Sequence, residues 1–228
     1  RYSIQSQIES GKNFTIFNFE KLLNCSLFKN LNLGIDPQLF TYEQIQKYFL
    51  KNNKIKFIKK NLIDEIEKVK FIKSIPFYSL NQNIVGESSK SKLTKIANYL
   101  KKNKSDFIFV SAPENVAWIL NIRGYDSPNS PIPNCRLIIS KTKKIILICK
   151  IEKCKRLLKN GVIKSNQIID VKSAREKILD LKGKNFIIDK NSCSIYYENL
   201  IRLNFKILKR EDPTYFLKSI KNKIEINN

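Results

Sequence analysis

The spacing of apolar positions changes repeatedly along the chain, and each change marks a predicted element. Asn13 to Phe19 (NFTIFNF) alternates polar and apolar residues as a half-buried strand does, and Glu20 to Phe28 then shifts to a helical spacing. Leu33-Gly34-Ile35-Asp36-Pro37 reads as a strand stopped by a turn, because Pro37 cannot continue a ladder and Gly34 permits close backbone approach. Thr41 followed by Gln44 is a capping-box signal for a helix through Leu50. Lys54 to Ile58 is a further strand, and Asn61 caps a helix carrying Leu62, Ile63 and Ile66 on one face. A βαβα order of this kind needs helices on the faces of its sheet.

Between Lys73 and Ser89 the pattern breaks into KSIPFYSLNQNIVGESS, with Pro76, Gly86 and a polar run, which places a domain boundary there. A second unit then begins. Ser91 to Lys102 carries Leu93, Ile96, Ala97 and Leu100 at helical spacing, and Asp106 to Val110 is the near-continuous apolar run of a buried strand. Pro113 opens a short helix where its missing N–H costs nothing, and Val116, Ala117, Ile119 and Leu120 form that helix's inner face. Gly124 to Pro133 is an irregular, Pro-rich loop. Cys135–Ile139 and Lys144–Cys149 read as a hairpin, and helix, strand, helix and strand follow.

Charge changes this picture less than its size suggests. Lys and Arg number 43 against 20 Asp and Glu, a formal charge of +23, which ordinarily points to nucleic acid or an anionic membrane surface. Only seven of the 43 are arginine, however, and the lysines are dispersed among abundant Ile and Asn, as in a protein from an A/T-biased genome. Arg is the side chain that reads phosphate and guanine bidentately, so this balance describes a solvated surface rather than a nucleic-acid interface. No apolar run reaches the length of a membrane span, and the polar start has no signal-peptide grammar; the expectation is a cytoplasmic protein with no membrane partner. The chain opens on Arg1 rather than Met, which reads as a piece of a longer or processed protein.

Five cysteines at irregular positions fit reduced thiols in a cytosolic protein. The chain has no histidine, so neither a Ser-His-Asp nor a Cys-His nucleophile pair can be built, nor a His-ligated metal centre. Cys149 and Cys154 lack the spacing and partners of a zinc site. No catalytic residue and no metal ligand is expected here. The most unusual stretch is PENVAWILNIRGYD, Pro113 to Asp126, which holds the sole Trp, one of the few Arg, and Gly124 as an expected C-terminal helix cap. It delivers Arg123 and Asp126 onto an irregular loop, where a rigid scaffold presents functional groups. The plainer reading stands beside this one: Arg123 bonds helix-end carbonyls and Trp118 fills the core.

Several of these stretches resemble, in order and spacing, the motifs of three-domain Xaa-Pro aminopeptidases of the creatinase/prolidase superfamily. AWILNIRGYD is similar to the family's AWLxNLRGxD, and Arg1-Tyr2 with Gln5 to the end of its DGRYFxQA. Gly34–Pro37 resembles its GxDP turn, Asn61–Asp64 its NLVD helix and Asn129–Ile132 its NPV. Asp212-Pro213 with Leu217 to Ile226 is similar to DPxxxLKAxKNxxEIxG. Ser3, Ser6 and Asn227 depart from these patterns.

The resemblance implies an α/β fold of two consecutive creatinase/prolidase N-terminal-type domains, each a mixed sheet flanked by helices. Residues 1–75 would be the later part of domain I, 76–86 a linker, 87–211 domain II, and 212–228 the start of a catalytic domain. It further implies a metallo-exopeptidase acting on peptides with proline at the second position, homodimeric at full length. Its two divalent metals, manganese or zinc, would be held by a catalytic domain outside this chain, which alone would be inactive. Arg1, Arg123 and Trp118 become the substrate-binding candidates. The alternative is a non-enzymatic basic α/β module that docks acidic partners or nucleic acid.

Overall fold

The computed structural model describes residues 2–16, 28–66 and 74–227. Arg1 and Cys25 lie outside them, as does most of the strand and helix expected over Asn13–Phe28. The chain divides into two compact units, Arg1–Glu67 and Lys68–Asn228.

In the first unit, helix α1 (Tyr2–Ser10) is followed by strand β1 (Asn32–Ile35), helix α2 (Tyr42–Tyr48), strand β2 (Lys54–Phe57) and helix α3 (Leu62–Ile66). Strands β1 and β2 pair in parallel, with Gly34 opposite Lys56. A Cβ on Gly34 would stand 3.0 Å from Ile58 Cγ2, so the close approach expected at this glycine is real. Thr41 forms a reciprocal cap: its hydroxyl accepts the Gln44 N–H at 3.2 Å, and its own N–H donates to Gln44 Oε1 at 2.9 Å. Helix α2 stops at Tyr48, short of the expected Leu50, where a 3-10 turn over Leu50–Asn52 leads into β2. The Asp36 turn and the Asn61 cap meet, since Asn61 Nδ2 donates to Asp36 Oδ2 while Asn61 Oδ1 accepts the Ile63 N–H. Leu62, Ile63 and Ile66 are exposed, because α3 is a single short turn that buries none of its residues.

The second unit is built on a six-stranded mixed sheet in the order β10-β9-β4-β6-β7-β8. Its strands are β4 (Phe107–Val110), β6 (Arg136–Ser140), β7 (Ile145–Ile148), β8 (Ile168–Ile169), β9 (Asn185–Ile188) and β10 (Lys206–Lys209). Strands β4, β9 and β10 run parallel, β4-β6-β7 is antiparallel, and β8 is parallel to β7. The hairpin expected across Lys141–Lys143 is present, with Lys143 in the left-handed region at φ 67°. Both faces of the sheet are buried. Ile108, Val110, Leu137, Ile139, Leu147 and Ile187 enter one core, while Phe109, Ile138, Ile148, Phe186 and Ile188 enter the other. This alternation explains the continuous apolar runs in the sequence. Helices α5 (Ser89–Lys102), α6 (Pro113–Leu120) and α7 (Lys155–Lys159) cover the first face, and α8 (Ala174–Asp180) with α9 (Ile195–Arg202) covers the second.

Residues 76–86 contribute to this unit: Phe77 is fully buried, β3 (Tyr78–Ser79) pairs antiparallel with β5 (Ile122–Arg123), and α4 (Gln82–Val85) follows. The last residues form α10 (Pro213–Ser219) and α11 (Lys223–Asn227). Thr41→Ala should lower the stability of the first unit by about 1 kcal/mol. Urea unfolding followed by helical circular dichroism should place its midpoint below that of the parent chain.

Candidate functional site

The AWILNIRGYD stretch is the end of α6 and the loop beyond it, and nearly every side chain in it has an identifiable partner. Helix α6 opens on Pro113 and buries Val116, Ile119 and Leu120. It ends at Asn121, not at Gly124 as expected. Asn121 adopts the left-handed conformation (φ 54°, ψ 37°), which a short polar side chain tolerates, and its N–H reaches back to the Ala117 and Trp118 carbonyls. Gly124 is required for another reason. A Cβ there would lie 2.8 Å from Pro133 Cα and 3.0 Å from the Phe77 ring.

A lysine closes the helix. Lys92, on α5, is 1% exposed, and its ammonium donates to the Trp118 carbonyl at 2.9 Å and to Asn121 Oδ1 at 2.7 Å. The same nitrogen sits 4.0 Å from the centre of the Trp118 ring. Carbonyl ends of helices and aromatic faces both attract cations, so the site supplies what a buried ammonium needs. Burial pushes the Lys92 pKa down to about 8, against Glu225 and Glu87, which favour the charged form. Asn121 Nδ2 donates to the Glu87 carbonyl, tying the loop before α5 into the same cluster. Trp118 is half-buried, with an indole N–H that has no partner among the described residues.

Arg123 folds back onto the helix it follows. Its Nη1 donates to the Ile122 carbonyl at 2.9 Å and the Ala117 carbonyl at 3.2 Å. Across the β3–β5 ribbon it faces Tyr78, whose ring is 5.5 Å from that of Tyr125 and 5.9 Å from the Arg156 guanidinium. Burial and the Tyr125 hydroxyl raise the Tyr78 pKa, while Arg123 and Arg156 oppose them. Asp126 pairs with the Lys153 ammonium and accepts the Asn134 N–H at 2.7 Å. Tyr125 is exposed.

The Asp212–Ile226 passage binds to the opposite end of α6. Asp212 caps α10 through the Thr214 N–H and accepts from Asn115 Nδ2 at 2.8 Å, while Lys218 donates to Asn115 Oδ1 at 2.7 Å. Burial raises the Asp212 pKa against these bonds. Asn222 caps α11 and donates to the Val85 carbonyl, in contact with Gly86, where no Cβ fits. Lys92 stands in no stretch that the sequence singled out, whereas Asn115, Asp212 and Asn222 lie inside motif stretches that gave them no individual role. Lys92 left a trace there: it stands four and eight residues before Ile96 and Leu100, on the stripe that α5 buries.

Among the described residues there is no group of three or more His, Cys, Asp or Glu able to hold a metal ion. The two divalent metals implied by the resemblance therefore do not fit the residues described here. No described helix is long and apolar enough to cross a membrane.

The model of the Creatinase/Prolidase N-terminal domain matches residues 70–225. The chain belongs to this family. A relative in Dictyostelium discoideum, Xaa-Pro aminopeptidase 1, is 30% identical over 250 residues, which cover 99% of this chain and 39% of that protein. Aminopeptidase P2 of Arabidopsis thaliana is 32% identical over 47% of this chain and 16% of its own length. The crystal structure of an X-prolyl aminopeptidase from Caenorhabditis elegans, described as a cytosolic enzyme with a di-nuclear active site, superposes with a TM-score of 0.76 at 21% identity. It covers 95% of this chain and 37% of that one, and it shows a shared fold. The chain spans well under half the length of these relatives.

Native Lys92 releases its proton near pH 8, whereas the unfolded side chain holds it to about pH 10.4. The unfolded state thus binds more protons in that window, and native stability should rise as pH climbs through it, by an amount on the order of 3 kcal/mol. Denaturant unfolding followed through Trp118 fluorescence at pH 7.5, 9 and 10 checks this, and Lys92→Met should flatten the rise.

Proposed function

We propose that this chain is the non-catalytic N-terminal region of a metal-dependent Xaa-Pro aminopeptidase, one that releases the residue preceding a proline at position two. Its contribution is substrate access and the arrangement of two subunits in a cytoplasmic homodimer. The observation that carries this reading is the 30% identity along 99% of the chain to a protein named Xaa-Pro aminopeptidase, joined to the rigid construction of the AWILNIRGYD loop. Histidine is absent from the chain, and no group of three or more Cys, Asp or Glu that could hold a metal ion occurs among the described residues. The reading therefore assigns the two divalent metals, manganese or zinc, to a catalytic region that this chain does not supply.

In the same reading residues 1–75 and 87–211 are the two N-terminal domains, and 212–228 opens the catalytic region. Exposed Phe216, Ile220 and Ile226 support that last assignment, since apolar side chains on so short a segment suit a surface that further structure covers. Arg1 is the proposed contact to a peptide carbonyl or carboxylate, for which a guanidinium offers two parallel N–H groups. Arg123 and Trp118 line the approach. Arg123 uses Nη1 to hold the helix end, which fixes the direction of its remaining N–H groups beside Tyr78.

The purified chain, supplied with manganese or zinc, should release no amino acid from an Xaa-Pro peptide; measurable turnover would overturn the assignment. In a protein that joins this chain to the remaining part of the Dictyostelium relative, Arg1→Ala should raise KM more than it lowers kcat. Unchanged steady-state kinetics would remove Arg1 from the substrate path.

A further inference from the structure

Cys149 and Cys154 lie side by side in the core, Sγ to Sγ 3.3 Å, and both are fully buried. Cys149 follows β7, and Cys154 ends the 3-10 turn Ile151–Cys154 that leads into α7. A disulfide bond is about 2.0 Å long, so closing the gap takes about 1.3 Å of side-chain movement. Three of the four residues between the two cysteines lie at the surface. Lys150, Ile151 and Glu152 are exposed, and a 3-10 turn this short has poor hydrogen-bond geometry, so it belongs to the part of a fold that opens locally. Cys135 and Cys193 are also buried, but no other cysteine among the described residues has a thiol hydrogen-bonded to a second thiol.

We propose that Cys149 and Cys154 are a reversible oxidation site, a thiol pair that a peroxide converts to a disulfide clamping the base of the AWILNIRGYD loop. The thiolate of one cysteine attacks a peroxide oxygen, giving a sulfenic acid and, with hydrogen peroxide, one water. The second sulfur then displaces the sulfenic oxygen as a second water and forms the S–S bond. Two electrons and two thiol hydrogens leave the protein, and the peroxide is reduced; a dithiol reverses the step. The hydrogen bond between the two thiols lowers the Cys154 pKa against its burial, a direction that favours Cys154 as the attacking sulfur.

The clamp acts on the loop through Lys153, the residue before Cys154. Its ammonium holds Asp126, and its carbonyl accepts the Phe77 N–H at 2.8 Å. Phe77 packs against Gly124, so both anchors of the loop beyond Arg123 hang on the turn that the disulfide would fix.

Trypsin makes the test direct, because Lys150 and Lys153 both fall between the two cysteines. The full chain is treated with hydrogen peroxide, free thiols are blocked with iodoacetamide in denaturant, and the digest is read by mass spectrometry. Ile145–Lys150 should be recovered joined to Cys154–Lys155, and dithiothreitol should separate them. Cys149→Ser and Cys154→Ser should each lack the joined species. Hydrogen exchange at the Phe77 amide and across residues 124–134 should slow severalfold on oxidation. Absence of the joined peptide, or its replacement by a link through Cys25, Cys135 or Cys193, overturns the site. A joined peptide with unchanged exchange overturns the clamp.

Discussion

A helix that ends inside a protein leaves carbonyl groups that need donors, and at Leu120 that need is met by a buried lysine. The rest of the loop follows from this closure. With the Trp118 carbonyl and the Asn121 side chain both held by Lys92, Asn121 can turn the chain left-handed and send Ile122–Arg123 back alongside Tyr78–Ser79. The reversal brings Gly124 against Phe77 and Pro133, where only hydrogen fits, and sets Asp126 beside Lys153. An ammonium stripped of water is costly unless its donors are filled. Here two oxygens and an indole face fill them, and its depressed pKa records what the burial still costs.

The aminopeptidase-like pattern AWLxNLRGxD can thus be read as instructions for a turn. Ala117 offers its carbonyl to Arg123, Trp118 faces Lys92, Asn121 caps, Gly124 leaves room, and Asp126 anchors. Of the pattern's two unspecified positions, Leu120 is buried and Tyr125 stands exposed. Both readings weighed for Arg123 are therefore compatible in one geometry. One guanidinium nitrogen bonds the helix-end carbonyl of Ala117, as the plainer reading holds, together with the Ile122 carbonyl, and those bonds fix the orientation of the rest of the group.

Local chemistry was legible in the sequence wherever short-range pattern decides structure. Thr41 with Gln44, Pro113 at a helix start, the β6–β7 hairpin and the apolar strand Phe107–Val110 all appear as their spacing indicates. Long-range polar partners were not legible. Lys92 and Asn121 are 29 residues apart, and Asn115 and Lys218 are 103 apart, so no local period joins them. Gly124 misleads for a related reason: glycine near a helix end suggests a cap, yet its role is set by Phe77 and Pro133, which only the fold brings near. Among α3's residues the opposite error arises, since an apolar face on a five-residue helix does not by itself produce burial.

The two ends of α6 are held by different parts of the chain, and this decides how the loop and the C-terminal passage relate. Asn115, in the first turn, is bonded to Asp212 and Lys218; the last turn is closed from α5. Asn222 fastens the passage to Val85, next to the segment whose Glu87 carbonyl receives Asn121. The charge of Glu225, from the same passage, favours the charged form of Lys92. Moving the passage would therefore strip the first turn of its polar partners and weaken the charge that closes the last. The loop carrying Arg123 and the segment from Asp212 onward are thus tied to the two ends of one buried helix, and a single ammonium has contacts or charge partners in both.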